Sequence, residues 1–472
     1  MRGRDKEKCI AGLVFFVIIV MTVRFLIASK LGLAPDEAYY WQWSRNLALT
    51  YPDHPPLIAW LVRLGTTIAG DNEIGVRLAC VTMSGIAVVI TYSIGRAATL
   101  ERRHAFMAAI LATTLPVPAT GSLIATPDTP LGLCYLLALF ALIRLSKLAS
   151  TNKLIWYLLG ATFGVALLSK HAAFLIPVAT IALIIRYPHI RHDLRTVHPW
   201  LAMFLSLLIA LPHFIAEARA GFPAVSFQIA HLLGALGHDG DIGPGLLRIV
   251  ELISGQIGLL TPIVAGWIVY AIFKSRNEPT LFVLAAGFLI PLAFSIMSAL
   301  FTHPEQNWAS LGHPAAAILV VWVLTKRRVW LTAVFITTIS VTCIIHAHAI
   351  RPFLPLPAKQ DPISRLHGWS RLSTLTKHMD KIDAIVCDNY GLAAETSWHL
   401  RHISKRIPIV GMNRPACAPQ GNWLLLDEQA EWGDAKLEVN CAKTHLLGDL
   451  ELKRKDETVL RTVKTSLGND CQ

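Results

Sequence analysis

Residues Leu33–Trp60 read LAPDEAYYWQWSRNLALTYPDHPPLIAW. The stretch leaves an apolar run, and Pro35 is placed to start a helix with Asp36 and Glu37 in its first turn. Tyr39, Tyr40, Trp41 and Trp43 follow, and the stretch closes on Asp53, His54 and a pair of prolines. Carboxylates followed by aromatic rings suit a membrane boundary, where the rings lie at headgroup level and the acids face water. YPDHPP reads as a turn before an amphipathic piece at Leu57–Leu64. Both short helices are expected along the outer membrane surface.

The rest of the chain fits a protein built around such a loop. Of 472 residues, 54% are hydrophobic and 16% charged, and the mean hydropathy is +0.50, as in a polytopic membrane protein. MRGRDKEK is a basic flank. The apolar run behind it is span-length and lacks a small-residue cleavage site, so it reads as a first span and not as a signal peptide. The net charge is +12. Through Ala349 there are 26 Lys and Arg against 16 Asp and Glu; beyond it there are 17 against 15. The excess sits among the spans, which argues against nucleic acid as a partner.

Apolar segments predict spans near 9–29, 78–98, 105–124, 130–145, 154–169, 171–186, 199–217, 249–273, 280–300, 312–325 and 329–348, eleven in all and as many as thirteen if some are broken. With the N-terminus inside, the inside segments are MRGRDKEK, TLERRH, RLSKLASTNK, RYPHIRHDLR, FKSRNE and TKRR, and each carries Lys or Arg. The acids sort the other way. Before Ile350 only Asp5, Glu7, Glu101, Asp193 and Glu278 fall inside; Asp36, Glu37, Asp53 and Asp128 are among those outside. Acids do little to set topology, so their gathering at one face points to chemistry.

Residues 1–349 thus read as a membrane domain and 350–472 as a soluble domain on the outer, periplasmic side of a bacterial inner membrane. Prolines 352, 355, 357 and 362 make the linker. Ile382–Cys387, Ile407–Val410, Trp423–Leu426 and the alternating run from Leu446 predict strands, with a helix near Leu392–Arg401, hence a small α/β domain. Cys387, Cys417, Cys441 and Cys471 lie in it, and an oxidising compartment allows disulfides among them without fixing their pairing. No phosphate-binding loop or dinucleotide fingerprint occurs, and a nucleotide cofactor is not expected.

Each candidate residue has a plainer role to weigh. Asp36 and Glu37 suit helix capping, and Asp128 in TPDTP suits the N-cap of the next span. Asp53–His54 suits a turn, and Lys170 can snorkel between two apolar runs. Asn307 and Trp308 suit a cap and an interfacial anchor.

Seven patches together favour function: PDEAYY at 35–40, YPDHPPLIAW at 51–60, ATPDTPL at 125–131, LLSKHAAFLIP at 167–177, EQNWASLGHPA at 305–315, DPISRLHGWSRL at 361–372 and CDNYGLAAETSWHL at 387–400. In this order and spacing they resemble the polyprenyl-phosphate-sugar-dependent glycosyltransferases of the GT-C fold. The bacterial branch with the lipid A aminoarabinose transferase and the rhizobial lipopolysaccharide galacturonosyltransferases is the nearest in pattern. Protein O-mannosyltransferases are more distant relatives.

The resemblance implies a sugar donor on polyprenyl phosphate, taken from the outer leaflet, and inverting transfer to lipid A or lipopolysaccharide core. It implies Asp36 and Asp128 as catalytic acids and Lys170 with His54 as donor-phosphate ligands. It makes Asp53 a candidate ligand for a divalent metal ion. Glu37, Tyr39, Tyr40, Asn307 and Trp308 become supporting or substrate-facing residues. His54 departs from the aminoarabinose branch, which has lysine there. No obligate protein partner is implied.

The chemistry is consistent with these residues. Polyprenyl phosphate is already a good leaving group, and a cation at the phosphate helps it depart; Lys170 and His54, or Arg45, Arg63 and Arg77, are the available donors. A carboxylate base helps a hydroxyl attack. Other envelope glycans, or a protein hydroxyl, remain alternative acceptors. A transporter would instead predict inverted repeats and midplane broken helices.

Overall fold

All eleven apolar segments fall on helices in the structure, a computed structural model that describes residues 2–147, 153–232, 242–303, 305–358, 360–403, 407–411, 421–429, 441–454 and 458–471. In hydrocarbon a helix satisfies its own backbone, which is why long apolar runs take this form. Among the described residues seven helices are long and apolar enough to cross a membrane: Glu7–Ala28, Glu73–Ala97, Asp128–Leu145, His198–Arg219, Pro279–Ala299, Gln306–Leu324 and Arg328–Ile350.

The remaining segments are interrupted, each at an identifiable place. Gly245–Leu260 and Pro262–Ser275 meet at 101°, with Thr261 at φ 68 and a proline that has no N–H to donate. Arg102–Thr114 stops before Pro116, which restarts the chain as Pro116–Gly121. Leu154–Leu167 and Leu175–Arg186 are both short. Between them Lys170 is extended and a 3-10 turn, His171–Phe174, follows.

The chain divides into two compact units. The first comprises Met1–Phe25, Ala48–Leu61 and Ala79–Ile345; the second comprises Leu26–Leu47, Val62–Leu78 and His346–Gln472. The tail's unit therefore takes in much of the opening loop, beyond the 349/350 division that composition suggests.

In the first unit, Leu139, Ala316, Val320 and Leu284 are fully buried at the centre of the bundle. Tyr135 is buried with them, and its hydroxyl donates to Gly287 O at 2.9 Å. Gly160 lets two helices touch backbone to backbone: a Cβ there would sit 2.1 Å from Ala202 O. With Gly164 it forms the small-xxx-small spacing that permits such approach. Large apolar side chains such as Phe15, Ile185 and Val269 face outward, as lipid-facing residues do.

The second unit holds a five-stranded sheet of order β2-β1-β3-β5-β4. Its strands are β1 Ala384–Cys387, β2 Ile409–Gly411, β3 Gly421–Gln429, β4 Cys441–Lys453 and β5 Val459–Cys471. β1 runs parallel to β2 and β3, with Ile385 opposite Ile409 and Leu424; β5 runs antiparallel to β3 and β4. The helix Tyr390–His399 is the crossover that a parallel β1–β2 pair requires. Trp369, Leu372, Leu392, Leu424 and Leu426 fill the core on one face. A disulfide joins Cys441 to Cys471, while Cys387 is buried and free. Cys417 lies outside the described residues.

Candidate active site

The helix Pro35–Arg45 carries Asp36 and Glu37 in its first turn, as its sequence dictates, but the two acids do different work. Glu37 is fully buried. Its Oε2 accepts from Ala34 N at 2.9 Å, closing the helix end, and Arg77 binds both its oxygens at 2.7 and 2.5 Å. Arg77 Nη1 also donates to Ala28 O and Leu31 O, and its Nη2 to Gly32 O. Arg77 was a candidate phosphate cation by sequence. It is not one, because a buried guanidinium with these partners has no face left for a ligand. Arg45 is likewise engaged, with Asp71 at 2.9 Å and Thr66 at 2.6 Å, whereas Arg63 is exposed.

Because Glu37 serves the cap, Asp36 is released from it. Its Oδ1 accepts from Tyr390 Oη at 2.8 Å and its Oδ2 from Arg365 Nη2 at 3.3 Å. The side chain keeps a third of its surface exposed. Each oxygen has a second lone pair, so the carboxylate is oriented and still able to accept a proton. Tyr39 lies with its ring centroid 5.0 Å from that of Tyr390 and 4.6 Å from that of Trp43; Tyr40 packs on Trp43 at 5.2 Å. The helices Pro35–Arg45 and Tyr390–His399 are joined by Gln42–Ser397 at 2.6 Å and by an edge contact of Trp41 on Trp398. Glu395 is fully buried on the latter helix. Burial first, then the nearby Glu37, pushes its carboxyl well above the usual range.

In the first unit, four of the residues singled out by sequence come together. Asp128 opens the helix Asp128–Leu145. Its Oδ1 pairs with Lys170 Nζ at 2.8 Å, and its Oδ2 accepts from Asn307 Nδ2 at 2.9 Å. Lys170 Nζ stands 5.9 Å from the centre of the Trp308 ring, which itself stacks on Phe294. Ser169 Oγ donates to Pro127 O at 2.7 Å, holding the two backbones together. The extended break between two short helices is what lets a lysine reach this point.

Asp53 and His54 lie in the turn before Leu57–Ala69, and Leu57 N donates to Leu168 O at 2.9 Å, two residues before Lys170. Three residues that the sequence reading missed anchor this stretch. Gln228 Nε2 donates to Asp53 O at 3.0 Å, His213 pairs with Leu49 O at 2.9 Å, and the buried Glu217 accepts from Thr50 Oγ1. Glu217 lies near the end of an apolar helix, where a buried acid is costly unless paired; that was the available signal. Among the described residues no three His, Cys, Asp or Glu side chains converge on one point. His313, unassigned by sequence, is buried against Gln256 Oε1 at 3.0 Å.

The overall architecture matches a solved one. ArnT from Cupriavidus metallidurans in the apo state superposes with TM-score 0.65 over 96% of this chain and 98% of that one, at 14% identity. Its undecaprenyl-phosphate-bound form gives TM-score 0.64. The chain has the GT-C fold.

Sequence comparison points the same way for this GT-C chain. The family model described as dolichyl-phosphate-mannose-protein mannosyltransferase matches residues 53–215, which contain Asp53, His54, Asp128 and Lys170. Lipid A galacturonosyltransferase RgtD of Rhizobium johnstonii is 27% identical over 382 residues, 79% of this chain and 78% of that protein. The undecaprenyl phosphate-alpha-4-amino-4-deoxy-L-arabinose arabinosyl transferase 2 of Proteus mirabilis is 24% identical over 308 residues. The match spans about half of that relative, 55% of its length.

Proposed function

We propose that this chain is an inverting, polyprenyl-phosphate-sugar-dependent glycosyltransferase of the bacterial inner membrane, and that it transfers a monosaccharide to lipid A or lipopolysaccharide core. The observation that carries the reading is Asp36. In a chain of membrane helices with the GT-C fold, this acid is freed from capping and held by one partner on each oxygen.

Asp36 takes the proton of the acceptor hydroxyl as its oxygen bonds to the anomeric carbon. The bond from that carbon to the phosphate oxygen breaks, and its electron pair leaves with polyprenyl phosphate. Attack opposite the leaving group inverts the centre. Lys170 stabilises the charge that grows on the phosphate, with Asp128, Asn307 and Trp308 fixing its position. The N-terminus is cytoplasmic and the tail periplasmic, supported by the alternation of basic loops. Galacturonate is the favoured sugar, supported by the greater coverage of the galacturonosyltransferase relative and by His54 in place of lysine. A protein hydroxyl is the second acceptor reading, favoured by the mannosyltransferase family match at 53–215.

The test is reconstitution. Purified protein given polyprenyl-phosphate-linked galacturonate and lipid A is expected to yield lipid A heavier by one hexuronate. Turnover with a peptide acceptor and none with lipid A would reverse the acceptor; no transfer from any polyprenyl-linked sugar would end the reading.

A further inference from the structure

We infer that Tyr390 and Arg365, both from the C-terminal domain, are positioning residues for the base Asp36, so that this domain completes the catalytic apparatus and is more than a platform. The inference rests on the reading of Asp36 as base.

An aspartate in the first turn of a helix has a ready local use, accepting from the helix's own free N–H groups. Here Glu37 meets that need from Ala34 N, and Asp36 is turned to partners 354 and 329 residues away. One is neutral and one cationic, and each takes a single oxygen. Two partners on two oxygens fix the carboxylate's rotamer, which a lone exposed aspartate would not hold.

Both partners are themselves held. Tyr390 begins a helix capped by Asn389, whose Oδ1 accepts from Leu392 N at 2.8 Å and whose amide nitrogen binds Asp388 and Glu428. The Tyr39 ring lies against it. Arg365 sits in the 3-10 turn Pro362–Leu366. That turn is pinned by the buried Asp361, which accepts from Ile363 N at 3.0 Å and from Arg454 Nη1 at 3.0 Å. Trp369 Nε1 donates to Arg365 O at 2.9 Å, and Arg461 Nη1 to Ser364 O at 3.3 Å. Gly32, just before the Asp36 helix, makes the approach possible, because a Cβ there would lie 2.7 Å from Leu366 O. These bonds place a neutral donor and a cation on Asp36 from segments that are each independently fixed. Arg365 also keeps nearly half of its side-chain surface exposed, so the mooring leaves room for an acceptor beside the acid.

The test uses full-length protein in lipid nanodiscs, after the wild type has shown transfer, so that failure of the functional reading is seen first. Tyr390→Phe is expected to lower kcat roughly tenfold, the scale of a lost hydrogen bond to a charged group, with KM for the lipid-linked donor unchanged. Arg365→Gln is expected to do the same, and Arg365→Lys to recover part of the loss. In an Asp36→Glu background, where the carboxylate is already displaced, Tyr390→Phe should change kcat less than about twofold. Thermal midpoints of all variants control for folding. Kcat within about twofold of wild type in both Tyr390→Phe and Arg365→Gln would overturn the inference. So would losses that multiply unchanged in the Asp36→Glu background, or a Tyr390→Phe defect confined to donor KM.

Discussion

Lys170 Nζ lies 2.8 Å from Asp128 Oδ1, with Asn307 on the other carboxylate oxygen. The cation assigned to the donor phosphate is therefore stored as half of an ion pair. Lysine has three N–H donors, so a phosphate can share it with Asp128. Lys170→Ala should weaken donor binding, transfer or both, and leave Asp128 an unpaired acid beside the donor. Asp128→Asn, which removes the competing charge, should cost less than Lys170→Ala in donor affinity. Binding of labelled polyprenyl phosphate checks this. If Lys170→Ala keeps both affinity and rate, the lysine only serves the fold.

Asp36→Asn should cut transfer by about 10²–10⁴-fold, the contribution of a general base. The amide preserves shape and still accepts from Tyr390, so the purified variant should insert and bind donor lipid as the wild type does. Turnover near wild type would remove Asp36 from the role.

Much of this was legible in the sequence because it is local. Hydropathy marked the long apolar runs that form the spanning helices, Pro35 marked the start of the Asp36 helix, and short apolar runs with one alternating stretch marked strands of the tail. What was not legible depends on partners far along the chain. PDEAYY does not reveal that Glu37 is matched by Arg77, and so Arg77 looked like a free cation. The tail patches at 361–372 and 387–400 contributed to the resemblance without giving any tail residue a role. That Arg365 and Tyr390 reach Asp36 follows from folding the tail around the opening loop, which no periodicity encodes. The breaks at Leu115 and Thr261 hide inside runs whose apolarity is continuous; only Pro116 and Pro262 hinted at them.

Two buried acids should answer the same substitution in opposite ways. Glu37→Gln leaves Arg77 buried and short of its counter-charge, and should destabilise the protein by about 3–5 kcal/mol. Glu395 is different. Burial pushes its folded pKa above its unfolded one, so the folded state keeps the proton to higher pH than the unfolded chain does, and stability is lost as pH rises above the unfolded value. Glu395→Gln should therefore match or exceed the wild-type thermal midpoint at neutral pH, with the advantage growing as pH rises and vanishing in acid. A pH-independent loss in Glu395→Gln would contradict this.

The tail should lie in an oxidising compartment. Cys441 and Cys471 are disulfide-bonded, and such bonds persist outside the reducing cytosol. In intact cells both thiols should resist alkylation until a reductant is added, and a reporter active only in the periplasm should work when fused after Gln472. Free thiols together with a reporter active only in the cytoplasm would reverse the proposed topology.

The most direct test of the central claim is mass spectrometry of lipid A and core from cells with the chain, without it, and with Asp36→Asn. The account predicts that deletion removes the mass of one sugar, a hexuronate by preference. Wild type should restore it, and Asp36→Asn, expressed to the same level, should not. An unchanged lipopolysaccharide profile on deletion of an expressed protein, or full restoration by Asp36→Asn, would contradict it.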